Sequence, residues 1–256
     1  MNVLCDLDGV VYRGQRALAG VPEALARLDA AGIDIFFITN NSTRTPQAGA
    51  DKITRLTGVP VSPERVLSSS LAAVGMLGPG DGPVLPVGED GVSDAVERAG
   101  LESTSDPGRA RAVLVGLTRS LTYDLIGDAM NAIRNGARFI ATNDDTTFPT
   151  EDGLMPGAGA IVAAIAAASG RRPEVAGKPN EPMRRLIRSR GVGDAWVIGD
   201  RLDTDVALAT HEPDWRSILV LTGVTDGAAD RVDEADFVVA DFSAAVDLVL
   251  SDPQPS

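Results

Sequence analysis

VLCDLDG at residues 3–9, PEALARLDAAG at 22–32 and IDIFFIT at 33–39 decide the fold. The outer two are short apolar runs rich in β-branched and aromatic residues, while Val21, Leu25 and Leu28 recur between them at helical spacing. Pro22 suits the first turn of that helix, where its missing N–H is not needed, and Gly32 supplies the stop. Strand, helix and strand in this order make a crossover, which brings the two strands together in parallel. The C-terminal third repeats the pattern: AWVIG at 195–199, a short helical stretch after Asp203, SILVLTG at 217–223, DFVVA at 236–240 and a closing helix from Phe242. Both ends of the chain are therefore expected in one open parallel α/β sheet.

Between these thirds the composition changes. GPGDGP at 78–83 reads as a hinge, and SGRRP at 169–173 as a second break. The stretch between them has its own strand candidates, VLPVG at 84–88, AVLVGL at 112–117 and RFIAT at 138–142, with helices near Asp90–Ala99 and Tyr123–Asn135. Because the chain then returns to the first sheet, this α/β module is an insertion. The expected organisation is a core of residues 1–78 and 174–256 interrupted by an inserted domain at 79–173. A length of 256 residues agrees, being more than the ~100–200 residues of one ordinary domain.

Hydrophobic residues at 44% and charged residues at 23% suit a packed globular chain rather than a disordered one. A formal net charge of -13 repels phosphate backbones and anionic membranes, so neither nucleic acid nor a membrane is expected as partner. The single cysteine, Cys5, and single histidine, His211, cannot build the usual zinc cages, and no internal disulfide can form. The chain opens directly into Val3 and Leu4 without a basic region or cleavage site, and the expected location is the cytoplasm. AGAIVAAIAAAS at 158–169 is shorter than the ~20 residues of a membrane span and reads as a buried helix.

Four short motifs carry the chemistry. Asp6 and Asp8 in CDLDG stand at the end of the first strand, where open α/β sheets bind their ligands. TNNS, Thr39 to Ser42, ends the next strand and offers a hydroxyl and amides to phosphate oxygens, although it also suits a polar turn. Lys178 in GKPN is an ammonium on a short, stiff loop, suited to offsetting phosphoryl charge. GDRLDTD places Asp200 at another strand end, with Asp205 one helical turn later; Asp203 suits capping of that helix. Carboxylates of Asp6, Asp8, Asp200 and Asp205 converging at one sheet edge repel each other unless a cation joins them, and oxygen-only donors favour Mg²⁺.

With these motifs in this order, the chain resembles haloacid dehalogenase superfamily phosphatases of class IIA, in the NagD-like, p-nitrophenyl-phosphatase-like branch. The resemblance spans nearly the whole chain and rests on DLDGVVYRG, TNNSTRT, GKPN and GDRLDTD, with ATNDD at 141–145 and PGAG at 156–159 in the middle module. It implies a Rossmann-like, doubly wound parallel-sheet core with an inserted α/β cap domain. It also implies a phosphomonoesterase acting on a small phosphorylated metabolite such as a sugar phosphate, glycerol phosphate, nucleoside monophosphate or p-nitrophenyl phosphate. By the same resemblance Asp6 is the nucleophile that forms an aspartyl-phosphate, and Asp8 the general acid and then base. Mg²⁺ would be held by Asp6, the Asp8 backbone carbonyl and Asp200, with Asp205 supporting from behind. Thr39, the Asn40 amide and Lys178 would bind the phosphoryl oxygens, and Asn143, Asp144 and Asp145 would contact the leaving group. Those three residues also suit a plain polar turn. Relatives in the branch often dimerise through the cap, so a homodimer is the assembly implied. The chain departs from the family around His211, where relatives more often carry a smaller Ala/Gly-rich turn.

Other residues favour bland readings. Cys5 suits a small core hydrophobe, Arg44 a surface arginine, and GAGA at 157–160 lacks the third glycine of a dinucleotide-binding turn.

Overall fold

The structure, a computed structural model, describes residues 1–150, 153–225 and 231–252. One parallel sheet of six strands runs in the order Phe237–Val239, Trp215–Val220, Ala195–Gly199, Asn2–Cys5, Asp34–Thr39, Val66–Ser68. The first strand of the chain is thus central. Its neighbours come from opposite ends of the sequence: Cys5 is in register with Phe37 on one side and Ile198 on the other. Strand order reverses here, and the carboxyl ends of strands at such a switch point are where doubly wound sheets bind ligands. Val3, Leu4 and Cys5 are all fully buried, as expected of a parallel strand covered on both faces. Helices Val21–Ala30 and Phe242–Ser251 contribute Leu25, Leu28, Val246 and Val249 to the same core as Val3, Phe37 and Trp196.

A second parallel sheet has four strands, in the order Glu174–Val175, Arg138–Ala141, Ala112–Val115, Val84–Val87. Helices Tyr123–Arg134 and Ala158–Ser169 pack Ala129, Ile133, Ile161 and Ile165 into its core. The second helix is not buried all round as its composition suggests. Ala160, Ala163 and Ala167 face solvent, because alanine tolerates exposure on a helix whose other face alone is packed. By compactness the chain divides into a unit of residues 1–39, 47–67 and 187–256 and a unit of residues 40–46 and 68–186. The second unit is pinned by Arg138, which donates to the Met76 carbonyl at 2.8 Å, to Asp81 and to both Glu174 oxygens. The bonded Glu174 carboxylate raises the Arg138 pKa above the ordinary arginine value, so this cation persists at any working pH.

Most elements fall where periodicity places them; AWVIG matches its strand residue for residue. Two hairpins carry no comparable signal: Tyr12–Arg13 with Arg16–Ala17, and Thr147–Thr150 with Gly153–Pro156. Among the described residues no helix is long and apolar enough to cross a membrane.

Candidate active site

Asp6 continues the central strand by one residue, its N–H donating to the Ile198 carbonyl at 2.9 Å. Asp200 follows the adjacent strand, so parallel register alone brings the two carboxylates to one edge. Asp205 arrives by a different device. Residues Leu202–Val206 form a wide, π-type turn, in which the Val206 N–H donates back five residues to the Arg201 carbonyl at 3.2 Å. The Asp205 carboxylate thereby folds back towards the strand end and accepts from the Arg201 N–H at 3.2 Å. Asp6, Asp200 and Asp205 each present an oxygen within 4.8 Å of the others, at 8%, 1% and 1% exposure. Three buried carboxylates so close call for a cation, and their all-oxygen donor set fits a hard divalent ion. Asp205 belongs to this triad directly.

Glycines make the geometry fit. A Cβ on Gly199 would stand 2.2 Å from the Asp205 side chain, and one on Gly223 only 1.8 Å from Asp200 Oδ2. Gly9 has a left-handed φ of +91° and also abuts Asp200, whose Oδ2 a Cβ there would meet at 2.6 Å. Asp200 Oδ2 accepts from the Val224 N–H at 2.6 Å, and its carbonyl from the Thr225 N–H at 3.1 Å. This loop, Gly223 to Thr225, holds Asp200 and is absent from the motifs read in the sequence; its signal was the Gly that ends LTG. Asp8 lies outside the triad. It is half-buried, bridged to Tyr12 through the backbone, in a turn closed by the Gly9 N–H donating to the Tyr12 carbonyl at 2.9 Å.

Thr39 ends the strand Asp34–Thr39 and is buried at 7% exposure. The chain passes into the second compact unit at the following peptide bond. There the TNNS residues divide their work. The Asn41 carboxamide oxygen accepts from the Thr43 N–H and hydroxyl at 3.0 and 2.7 Å, forming a local turn. Ser42, fully buried, accepts from the Leu117 N–H at 3.2 Å. Asn40 holds the Lys178 loop at two points: its Oδ1 accepts from the Lys178 N–H at 2.8 Å, and its Nδ2 donates to the Lys178 carbonyl at 3.3 Å. Lys178 is itself 3% exposed, unlike an ordinary surface lysine.

Asn143 and Asp145 join the same group. Asn143 Nδ2 donates to the Asn40 carbonyl at 2.7 Å, and Asp145 Oδ2 accepts from Asn40 Nδ2 at 3.2 Å. Asp144 between them is exposed. Asp203 is a surface residue paired with Arg201 at 2.7 Å rather than a helix cap. His211 is exposed, with Nδ1 on the Ala207 carbonyl at 2.6 Å, and closes the helix Ala207–Thr210. Arg44 is exposed and Cys5 buried.

Fold and site together define an α/β enzyme with an acidic, metal-competent centre at its topological switch point. Residues 3–102 match the family model described as haloacid dehalogenase-like hydrolase, and residues 175–245 one described as HAD-hydrolase-like. The 5'-nucleotidase YutF of Bacillus subtilis is 37% identical over 227 residues, 87% of each chain. A crystal structure of a hypothetical protein from Pyrococcus horikoshii superposes with a TM-score of 0.90 at 37% identity, covering 97% of this chain and 99% of that one. The glycerol phosphate phosphatase of Mycobacterium tuberculosis in complex with magnesium gives 0.86 at 33% identity, over 99% and 79% of the two chains. The chain belongs to the haloacid dehalogenase-like hydrolases, class IIA, and it is a phosphoric monoester hydrolase of that family.

Proposed function

We propose that this chain is a magnesium-dependent phosphatase that hydrolyses a small phosphorylated metabolite through an aspartyl-phosphate on Asp6. The observation that carries the reading is the buried triad Asp6, Asp200 and Asp205, with oxygens within 4.8 Å of one another. Asp6, the Asp8 carbonyl and Asp200 would hold Mg²⁺, with Asp205 supporting them from behind; when bound, the ion neutralises the carboxylates and polarises a phosphoryl oxygen. The relative solved with magnesium supports that choice of ion.

The Asp6 carboxylate attacks phosphorus while the bond to the ester oxygen breaks, and Asp8 donates the proton that oxygen needs to leave. Asp8, now ionised, takes a proton from water; the water oxygen attacks phosphorus, the aspartyl bond breaks, and inorganic phosphate departs. Thr39, the backbone amide of Asn40 and Lys178 bind the phosphoryl oxygens, supplying the positioning and charge on which phosphoryl transfer depends. The inserted segment 79–173 serves as a cap, with exposed Asp144 as its contact to the leaving group. Relatives named for a nucleotide and for glycerol phosphate keep the substrate class at small phosphomonoesters. Exposed Tyr123, Leu154 and Met155 on the inserted segment support a homodimer through the cap, and a lone buried thiol suits the reducing cytoplasm.

The test is phosphate release from a panel of metabolite phosphates, with and without Mg²⁺. We expect turnover only with the divalent ion, and its loss in Asp6→Asn. Wild-type turnover by Asp6→Asn, or undiminished activity in chelator, would overturn the reading.

A further inference from the structure

We infer that Asn143 and Asp145 are positioning residues for the phosphate-binding turn and the Lys178 loop, not contacts to the leaving group. This rests on the phosphatase reading above for what Lys178 and the turn hold. Asn143 is 4% exposed and its carboxamide is spent internally. Its Nδ2 donates to the Asn40 carbonyl at 2.7 Å and to Thr142 Oγ1 at 3.3 Å, and its Oδ1 accepts from the Asp145 N–H at 3.1 Å. The Asn40 carbonyl also accepts from the Ser69 hydroxyl at 2.7 Å. Asp145 Oδ2 accepts a hydrogen bond from Asn40 Nδ2 at 3.2 Å, which orients that carboxamide so that its oxygen faces the Lys178 N–H at 2.8 Å.

The loop that carries these residues is packed backbone against backbone. A Cβ on Gly157 would meet the Asp145 carbonyl oxygen at 2.1 Å, and one on Gly159 the Asp144 carbonyl oxygen at 2.3 Å. The Gly159 N–H donates to the Asp145 carbonyl at 2.9 Å. On the other side, a Cβ on Gly177 would meet Asn40 Oδ1 at 2.5 Å and the Thr142 carbonyl at 2.7 Å. PGAG therefore braces the loop, the loop sets Asn40, and Asn40 sets the backbone of Lys178. A residue that selects leaving groups must offer its side chain outwards; of Asn143, Asp144 and Asp145 it is Asp144 that is exposed, while Asn143 is buried and Asp145 half-buried.

Asn143→Asp keeps the shape but sets a carboxylate oxygen against the Asn40 carbonyl. Asp145→Ala removes the acceptor, while Asp145→Asn retains one. Each variant is compared with wild type in Mg²⁺ on p-nitrophenyl phosphate, glycerol phosphate and a nucleoside monophosphate, and inorganic phosphate binding is followed by calorimetry. Asn143→Asp and Asp145→Ala should lower kcat roughly 10- to 100-fold, by one common factor for all three esters. They should weaken phosphate binding as well, with Asp145→Asn recovering most of both. A changed ranking of the esters with phosphate binding intact would overturn the inference, and so would unchanged kinetics. If Asn143→Asp does not fold, the Asp145 pair decides by the same criteria. If wild type releases no phosphate, the phosphatase reading fails by itself, and calorimetry still judges the positioning: equal phosphate affinity in wild type and variants overturns it.

Discussion

Asp200 shows how much backbone is needed to hold one carboxylate. Its Oδ2 takes the Val224 N–H, its carbonyl takes the Thr225 N–H, and Gly9 and Gly223 stand too close to admit a methyl group. Gly223→Ala should therefore displace Asp200, cutting turnover about 100-fold by misplacing a group at the reacting centre, while the melting curve stays cooperative. Steady-state kinetics alongside thermal denaturation checks this. Asp205 and Asp203 make the sharper contrast, two residues apart in one turn. Asp205→Asn removes charge from the buried triad and should weaken Mg²⁺ binding by roughly 10- to 100-fold. Asp203→Asn alters an exposed pair with Arg201, outside the triad, and should leave the calorimetric titration unchanged. The sequence assigns Asp205 to the carboxylate cluster and Asp203 to capping of the helix. The π-type turn that aims Asp205 inwards is not legible there, because it depends on which carbonyl the Val206 N–H finds.

At the scale of elements, strand ends set the site. Parallel pairing of Asn2–Cys5 with Ala195–Gly199 puts Asp6 and Asp200 at one edge of the sheet, which needs only a correct reading of two apolar runs and their order. The helix Ala158–Ser169 was legible as a helix, but the use of its start was not. GAGA lacks a dinucleotide-binding pattern, and its glycines are instead the flat surface on which the 144–145 backbone lies. Gly159→Ala should push that loop away and reproduce the uniform kcat loss expected of Asn143→Asp. A ranking of esters altered by Gly159→Ala would count against this bracing role. Register also explains the fully buried Phe37, which sits in the central layer beside Val3, Leu28 and Trp196. Phe37→Ala should destabilise the fold by about 3–5 kcal/mol, read as a lower urea midpoint.

For the whole molecule, the triad couples metal to stability. An ion that binds the folded state alone stabilises it by about 2.7 kcal/mol at a hundred times its dissociation constant. Mg²⁺ should therefore raise the melting temperature and chelator lower it, and Asp6→Asn should flatten both responses; a melting curve indifferent to Mg²⁺ would contradict a metal site in the triad. The sequence by itself determined the alternation of strands and helices, the insertion, and the strand ends where carboxylates gather. Each of these is written in local periodicity, in breaker residues, or in the order of short motifs. What only the tertiary structure decided is which polar residues of those motifs work on which. Asn40 reaches Asp145 across 105 positions and Lys178 across 138, spans over which hydrogen-bond partners leave no trace in local pattern. The ATNDD loop looked like an outward-facing polar turn because side-chain polarity is visible in a sequence and side-chain direction is not. Asn143 and Asp145 turn inwards because the glycines at 157, 159 and 177 let three backbone segments close upon them.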